Sequence, residues 1–377
     1  MLTIQDFDKH NEALVALIRR LVEIESPTTD KAAVDRVGAV VAEELVRLGA
    51  VVTVDPQSQT GNHVIGRWGV PGSDEAGLLV MCHMDTVYDL GTLARQPCRV
   101  IDGRLMGPGT MDMKASIAML ITALRALHAR QEWPKQSLTA LFTTDEEMGS
   151  DTSRALIEAL ASRARLVLCL EPCLPDGALK TWRKGVGDYE IIVRGKAAHA
   201  GADHERGRNA IEELARHILA IQRLTDYKQG TTLNVGVVTG GSRSNVVPDL
   251  ARALVDVRVM TSTEGERITR WMQQLTPISD GTTITVTGGL NRPPMPRDER
   301  MVATFSRASQ IAARLGLNLR EGGTGGGSDA NFVAPLGVPV LDGLGALGNG
   351  AHSEREHVVI ASLPERTALL AALLTEW

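Results

Sequence analysis

The sequence predicts a three-layer α/β fold into which an α+β domain of four strands and two helices is inserted. Three observations lead there. Continuous apolar runs such as residues 77–82 suit strands buried on both faces. Amphipathic helices alternate with such runs through the first half of the chain, the rhythm of a mainly parallel sheet. Between about residues 178 and 288 the rhythm changes to four strands and two helices in a compact stretch, and then the α/β pattern resumes. The expected division is therefore 1–177 and 289–377 for the α/β domain, with 178–288 inserted in it.

In chain order, residues 7–25 place Leu14, Leu17, Ile18, Leu21 and Val22 on one helical face. Asp30 is placed to cap a second helix, which runs through Val34, Val37, Val40, Val41, Leu45 and Leu48 and stops at Gly49. Strands are expected at 51–55, 62–68 and 77–82. A helix follows from about Lys114 with Ile117, Leu120, Ile121 and Leu124 inward, and two buried strands at 137–142 and 166–170 flank a helix over 153–161. The insertion reads as strands 188–194, 232–239, 252–260 and 282–287 with helices 209–224 and 264–275. A helix over 301–315, a strand at 338–341 and a closing helix over 363–374 complete the chain. The Gly-rich run 322–327 is the one candidate linker.

A chain of 377 residues is long enough for two cores. With 40 Lys+Arg against 45 Asp+Glu the formal charge is −5, and the lack of a basic block argues against nucleic acid as a partner. No apolar run approaches the roughly 20 residues of a membrane-spanning helix, and no basic segment followed by an apolar core opens the chain, so a cytoplasmic protein with no membrane partner is expected. Cys82, Cys98, Cys169 and Cys173 form no CxxC pair, which argues against a redox centre or a thiolate zinc site and for buried reduced thiols.

Metal-ligand residue types cluster at the ends of the buried strands: His83-Met84-Asp85, the loop Gly107 to Lys114 with Asp112, Asp145-Glu146-Glu147, and Glu171. In an open parallel sheet such ends share one crevice. Carboxylates gathered there repel one another unless a cation compensates. Nitrogen and oxygen donors without thiolate suit Zn2+, with Co2+ or Mn2+ as substitutes, and the supply of carboxylates fits two ions sharing one of them better than a single ion.

These motifs, His83 to Tyr88, Gly107 to Lys114, Thr144 to Ser150, Gly195 to Gly201 and Gly325 to Ala330, resemble the M20 family of dinuclear zinc peptidases and deacylases, and within it the glutamate carboxypeptidase branch. The resemblance implies that Asp112 bridges two zinc ions, that His83 and Glu171 complete one site, and that Glu147 and His352 complete the other. It makes Glu146 the general base, which takes a proton from water and returns it to the leaving amine, and Asp85 the carboxylate that orients His83. The insertion becomes a lid and dimerisation domain. There His199 reaches across a homodimer to support an oxyanion, Asn245 and Arg258 touch substrate, Arg258 through its carboxylate, and Arg292 is a candidate second carboxylate contact. Gly326 and Gly327 would offer backbone N–H groups.

Plainer readings stand beside these. Arg258 could pair with Asp256, and His10, His63, His128, His204, His217 and His357 read as packing or surface residues. The Gly-rich run lacks the Lys-Ser/Thr ending of a phosphate-binding loop. The expected activity is hydrolysis of an amide or peptide bond to a C-terminal amino acid, glutamate first, with a small peptide or N-acyl amino acid as substrate. The alternatives are a deacylase of the acetylornithine or succinyl-diaminopimelate type, and a non-catalytic relative.

Overall fold

The computed structural model describes residues 2–69 and 77–377, and the chain divides into two compact units. The first comprises Met1–Trp182, Arg297–Gly323 and Ser328–Trp377; the second comprises Arg183–Pro296 with Thr324–Gly327.

The first unit is built on a six-stranded sheet in the order Val51–Asp55, His63–Trp68, Leu138–Thr143, Gly77–His83, Ala164–Cys169, Val340–Leu341. The last four run parallel, and the first two are antiparallel additions at one edge. The departure from an all-parallel sheet has a simple cause: too few residues separate Val51–Asp55 from His63–Trp68 for a crossover, so the two close as a hairpin. Along Gly77–His83, Leu78, Val80 and Cys82 enter the main core, while Leu79 and Met81 are equally buried on the other face. Burial on both faces is what makes the run continuously apolar. Helices Asn11–Val22, Ala115–Arg130 and Leu363–Glu376 supply the core on one side.

The apolar face expected of the first helix is buried at Leu14, Leu17, Ile18, Leu21 and Val22, but the helix begins at Asn11. A separate turn, Ile4–Asp8, precedes it, closed by reciprocal hydrogen bonds between Thr3 and Asp6. Asp30 caps Lys31–Arg47 by accepting from Ala33 N–H at 2.9 Å, and Gly49 ends it at φ +79°, where a side chain would be strained. Cys82, Cys169 and Cys173 are buried and reduced as expected, whereas Cys98 is only partly covered. Among the described residues no helix is long and apolar enough to cross a membrane.

Two features were not legible beforehand. Gly348–Asn349, His357–Val359, Arg104–Met106 and Arg99–Ile101 form a small antiparallel sheet in that order; strands of two or three residues carry no periodicity to read. Leu179–Arg183, at the start of the segment expected to be inserted, instead forms a two-stranded sheet with Glu321–Thr324, which overlaps the start of the Gly-rich run.

The second unit is an antiparallel sheet in the order Thr232–Gly240, Leu250–Val259, Gly185–Arg194, Thr283–Arg292. Alternate residues Tyr189, Ile191, Val193, Ala253, Val255 and Val257 form a core with helices Ala210–Gln222 and Ser262–Gln273, the period-2 burial of a sheet covered on one face.

Candidate metal centre

Gly77–His83 ends at His83, parallel to Leu138–Thr143 and in register with Thr143, so the turn that follows the second strand opens beside His83. That turn holds Glu146 and Glu147. Ser150 N–H returns to Asp145 O, and Asp145 Oδ2 accepts from Thr152 N–H and Oγ1 at 2.7 Å each. Gly149 at φ +102° and Ser150 at φ +63° make the reversal possible.

Asp112 lies at the centre of the cluster. Its Oδ1 is 3.0 Å from His83 Nε2 and its Oδ2 is 3.5 Å from His352 Nε2. Glu171 Oε1 is 3.6 Å from the same His83 nitrogen, and Glu147 Oε2 is 3.2 Å from His352 Nε2. Each oxygen of one carboxylate thus faces a different imidazole–carboxylate pair. The ligand atoms of His83, Asp112 and Glu147 lie within 4.8 Å of one another, as do those of His83, Glu146 and Glu171. Glu147 Oε1 is buried without a hydrogen-bond partner, an acceptor that a cation would satisfy. The donor set of imidazole nitrogens and carboxylate oxygens therefore fits divalent metal ions.

His83 Nδ1 lies 3.0 Å from Asp85 main-chain O and 3.5 Å from Asp85 Oδ1. Two acceptors at Nδ1 place the ring proton there and turn Nε2 toward the cluster. The sequence reading gave this orienting role to the Asp85 carboxylate; the nearer contact is the carbonyl. The carboxylate also accepts, through Oδ2, from Thr28 Oγ1 at 2.7 Å and from Glu147 N–H at 3.2 Å, so Asp85 positions both His83 and the turn bearing Glu147. Thr28 escaped the sequence reading, because nothing local ties it to a strand end 57 residues away.

The electrostatics are those of a site short of positive charge. Burial works against the charged form of His83, yet Asp112 and Asp85 raise its pKa well above the ordinary imidazole range. Asp112 and Glu147 push His352 up to about 10. Burial raises Asp112, but the hydrogen bonds and charges of His352 and His83 override it and hold the carboxyl far below its usual range; burial pushes Glu147 up. Divalent cations held there would displace the imidazole protons that these carboxylates favour.

The remaining expected residues lie in the second unit. His199 is exposed, and its Nδ1 accepts from Gly201 and Ala202 N–H at 3.1 Å each. Its proton is therefore on Nε2, which is left to donate outward. Asn245 is exposed on the adjoining segment, where its carbonyl accepts from Ala200 N–H. Arg258 forks onto Asp256, Nη2 to Oδ2 at 2.6 Å and Nε to both oxygens at 3.0 Å, with Nη1 on Gly325 O at 3.5 Å; the pairing with Asp256 is present. Arg292 is buried, and a Cβ on Gly327 would meet its Cδ at 2.7 Å. Gly326 N–H donates to Thr324 Oγ1 at 3.2 Å, and the Gly326 and Gly327 carbonyls accept from Arg183. Gly326 N–H, expected to be open to a ligand, is thus engaged within the turn.

Residues 79–376 match the sequence profile of peptidase family M20/M25/M40. The chain is 32% identical to carboxypeptidase G2 of Pseudomonas sp. (strain RS-16) over 97% of its own length and 89% of that protein's. It is 29% identical to succinyl-diaminopimelate desuccinylase of Cereibacter sphaeroides (strain ATCC 17025 / ATH 2.4.3), over 84% and 87% of the two chains. Its fold matches that of the Bacillus subtilis YXEP protein, a dinuclear metal binding peptidase from the M20 family, with a TM-score of 0.68 at 16% identity over 98% of this chain and 99% of that one.

Proposed function

Because the chain belongs to peptidase family M20/M25/M40, we propose that it is a dinuclear zinc hydrolase that releases a C-terminal amino acid, glutamate first, from a peptidyl or N-acyl substrate. The observation that carries this reading is the Asp112 carboxylate, which presents one oxygen to His83 and the other to His352 with Glu146 close by. His83, Asp112 and Glu171 would hold one ion; Asp112, Glu147 and His352 would hold the other. Ions so held supply Lewis-acid polarisation of the scissile carbonyl and acidify water.

The protein's own groups do the rest. Glu146 takes the proton from the attacking water and returns it to the leaving amine. His199, contributed by the second copy of a homodimer, donates from Nε2 to the developing oxyanion. Arg258 and Arg292 are candidate partners for substrate carboxylates, Arg258 by exchanging Asp256 for the substrate, and Asn245 adds a polar contact. The homodimer reading draws support from the outer strand Thr232–Gly240, whose Val237 and Val238 are 50% and 52% exposed on the edge of the second unit's sheet. Light scattering at micromolar concentration is expected to give twice the chain mass; a monomer there overturns the His199 assignment.

Similarity to a desuccinylase over most of the chain supports a second reading, a deacylase using the same metal chemistry. Amino-acid release by the zinc-loaded protein from peptidyl, acetyl and succinyl amino acids ending in glutamate, aspartate, neutral or basic residues separates the two. At least a tenfold preference in kcat/KM for terminal glutamate, equivalent to about 1.4 kcal/mol, is expected. Release confined to acetyl or succinyl substrates replaces the first reading with the second, and no release from any of them defeats both.

A further inference from the structure

Glu356 lies four residues beyond His352, where the hairpin between Gly348–Asn349 and His357–Val359 returns to the small sheet. The residue is completely buried. Its Oε1 accepts from the backbone N–H groups of Met111 at 2.8 Å and Asp112 at 2.9 Å. Its Oε2 accepts from Gly109 N–H at 2.9 Å and from the Tyr88 hydroxyl at 2.6 Å. The main chain adds to this, for Gly107 N–H donates to Glu356 O at 3.2 Å and Met106 pairs with His357. One residue of the His352 hairpin thereby holds both ends of the loop 107–112.

Four donors converging on one side chain specify its chemistry. Only a carboxylate has two oxygens with lone pairs enough to accept them all; an amide would turn an NH2 group against backbone N–H. Those four hydrogen bonds offset part of the cost of burying the carboxylate, and the arrangement fixes the backbone from which Asp112 projects. Asp112 and His352 are 240 residues apart in the chain and face one another at 3.5 Å. The small sheet brings their loops together, and Glu356 is the side chain that spans them.

We propose that Glu356 is a positioning residue for the metal centre: its carboxylate ties the Asp112 loop to the His352 hairpin and so sets the separation of the two halves of the ligand set. The inference rests on the metal-centre reading above. Tyr88, whose hydroxyl is also 3.0 Å from Ser353 O, is the fourth donor and supports the same carboxylate from the loop after His83.

The test is Glu356→Gln, with Tyr88→Phe as the milder second variant. Each is compared with wild type in four measurements: melting of the metal-free protein, zinc affinity and stoichiometry by calorimetry, the visible absorption of the cobalt-loaded protein, and kcat and KM separately. Positioning predicts that Glu356→Gln loses about 10- to 100-fold in metal affinity, alters the cobalt spectrum, and lowers kcat with little change in KM. Tyr88→Phe, which keeps the three amide donors, is expected to show the same pattern at a few-fold. A metal-free protein that melts lower while zinc affinity, cobalt spectrum and kcat stay at wild-type values overturns the proposal, leaving Glu356 a merely structural acid. Should Glu356→Gln not fold, a Tyr88→Phe protein unchanged in affinity and spectrum overturns it equally. Wild-type protein that binds no second ion defeats the underlying metal reading instead, a result the variants do not mimic.

Discussion

Replacing Glu146 by Gln is expected to lower turnover on the substrate found in the release assay by about 100- to 10,000-fold, with both metal ions retained. Gln keeps the length and polarity of the side chain and removes only its capacity to accept and return a proton. The position suits that task. Glu146 opens the three-residue turn after Leu138–Thr143, and its carboxylate lies within 4.8 Å of the donor atoms of His83 and Glu171, while the next residue, Glu147, faces His352 at 3.2 Å. The same closeness allows a different outcome. If Glu146 were a ligand alongside His83 and Glu171, Gln would cost metal along with activity, and parallel loss of the two would reassign it. Unchanged turnover would remove it from the mechanism altogether.

Asp112→Asn is expected to be still more damaging, because it strikes both halves of the centre at once. The carboxylate meets His83 through one oxygen and His352 through the other; Asn retains the shape but has one oxygen, and sets an NH2 group where the second lone-pair donor stood. Affinity for at least one ion should fall by more than the roughly 10- to 100-fold typical of a group that only orients a ligand, and hydrolysis with it. Protonation sets the sign of the pH dependence. In the metal-free site the pKa of His352 is raised to about 10 by Asp112 and Glu147, and that of His83 is raised well above its ordinary value against the effect of burial. Below those values the imidazoles hold protons that an incoming cation must displace, so metal retention should strengthen as pH rises and fail as it falls. Metal content after dialysis from acidic to alkaline buffer checks both points. Two ions retained by Asp112→Asn at neutral pH would refute the bridging role, and retention independent of pH would refute the proton linkage.

How legible this was depended on the length of the signal. Lys31–Arg47 announces itself through its Asp30 cap and apolar periodicity, Ala115–Arg130 through inward apolar positions over several turns, and Gly77–His83 through a continuous apolar run, because each is long enough to carry a signal. Their ends were also where the acidic and imidazole residues stood, so His83, Asp112, Glu146, Glu147 and Glu171 could be singled out from local pattern and family resemblance together. His352 was found through resemblance alone: it sits in a turn at φ +61° with no periodic element beside it.

What the sequence by itself determined is the set of candidate ligands at the strand ends, His83, Asp112, Glu146, Glu147 and Glu171, and the order of the elements that carry them, since short-range patterning and family resemblance together single these out. The tertiary structure decided which groups meet. It gave the Nδ1 proton of His83 the Asp85 carbonyl as its nearer partner, turned the Asp85 carboxylate to Thr28 and Glu147, paired Arg258 with Asp256, engaged Gly326 N–H inside its own turn, and set Glu356 against the Asp112 loop. Only the Arg258–Asp256 pair, two residues apart on one strand and so on the same face, was open to sequence reading as one of two alternatives. The others join groups whose chain separation says nothing of their distance in space, or choose between acceptors within a few residues of one another, and a hydrogen bond is settled by tenths of an ångström that only the packed fold fixes.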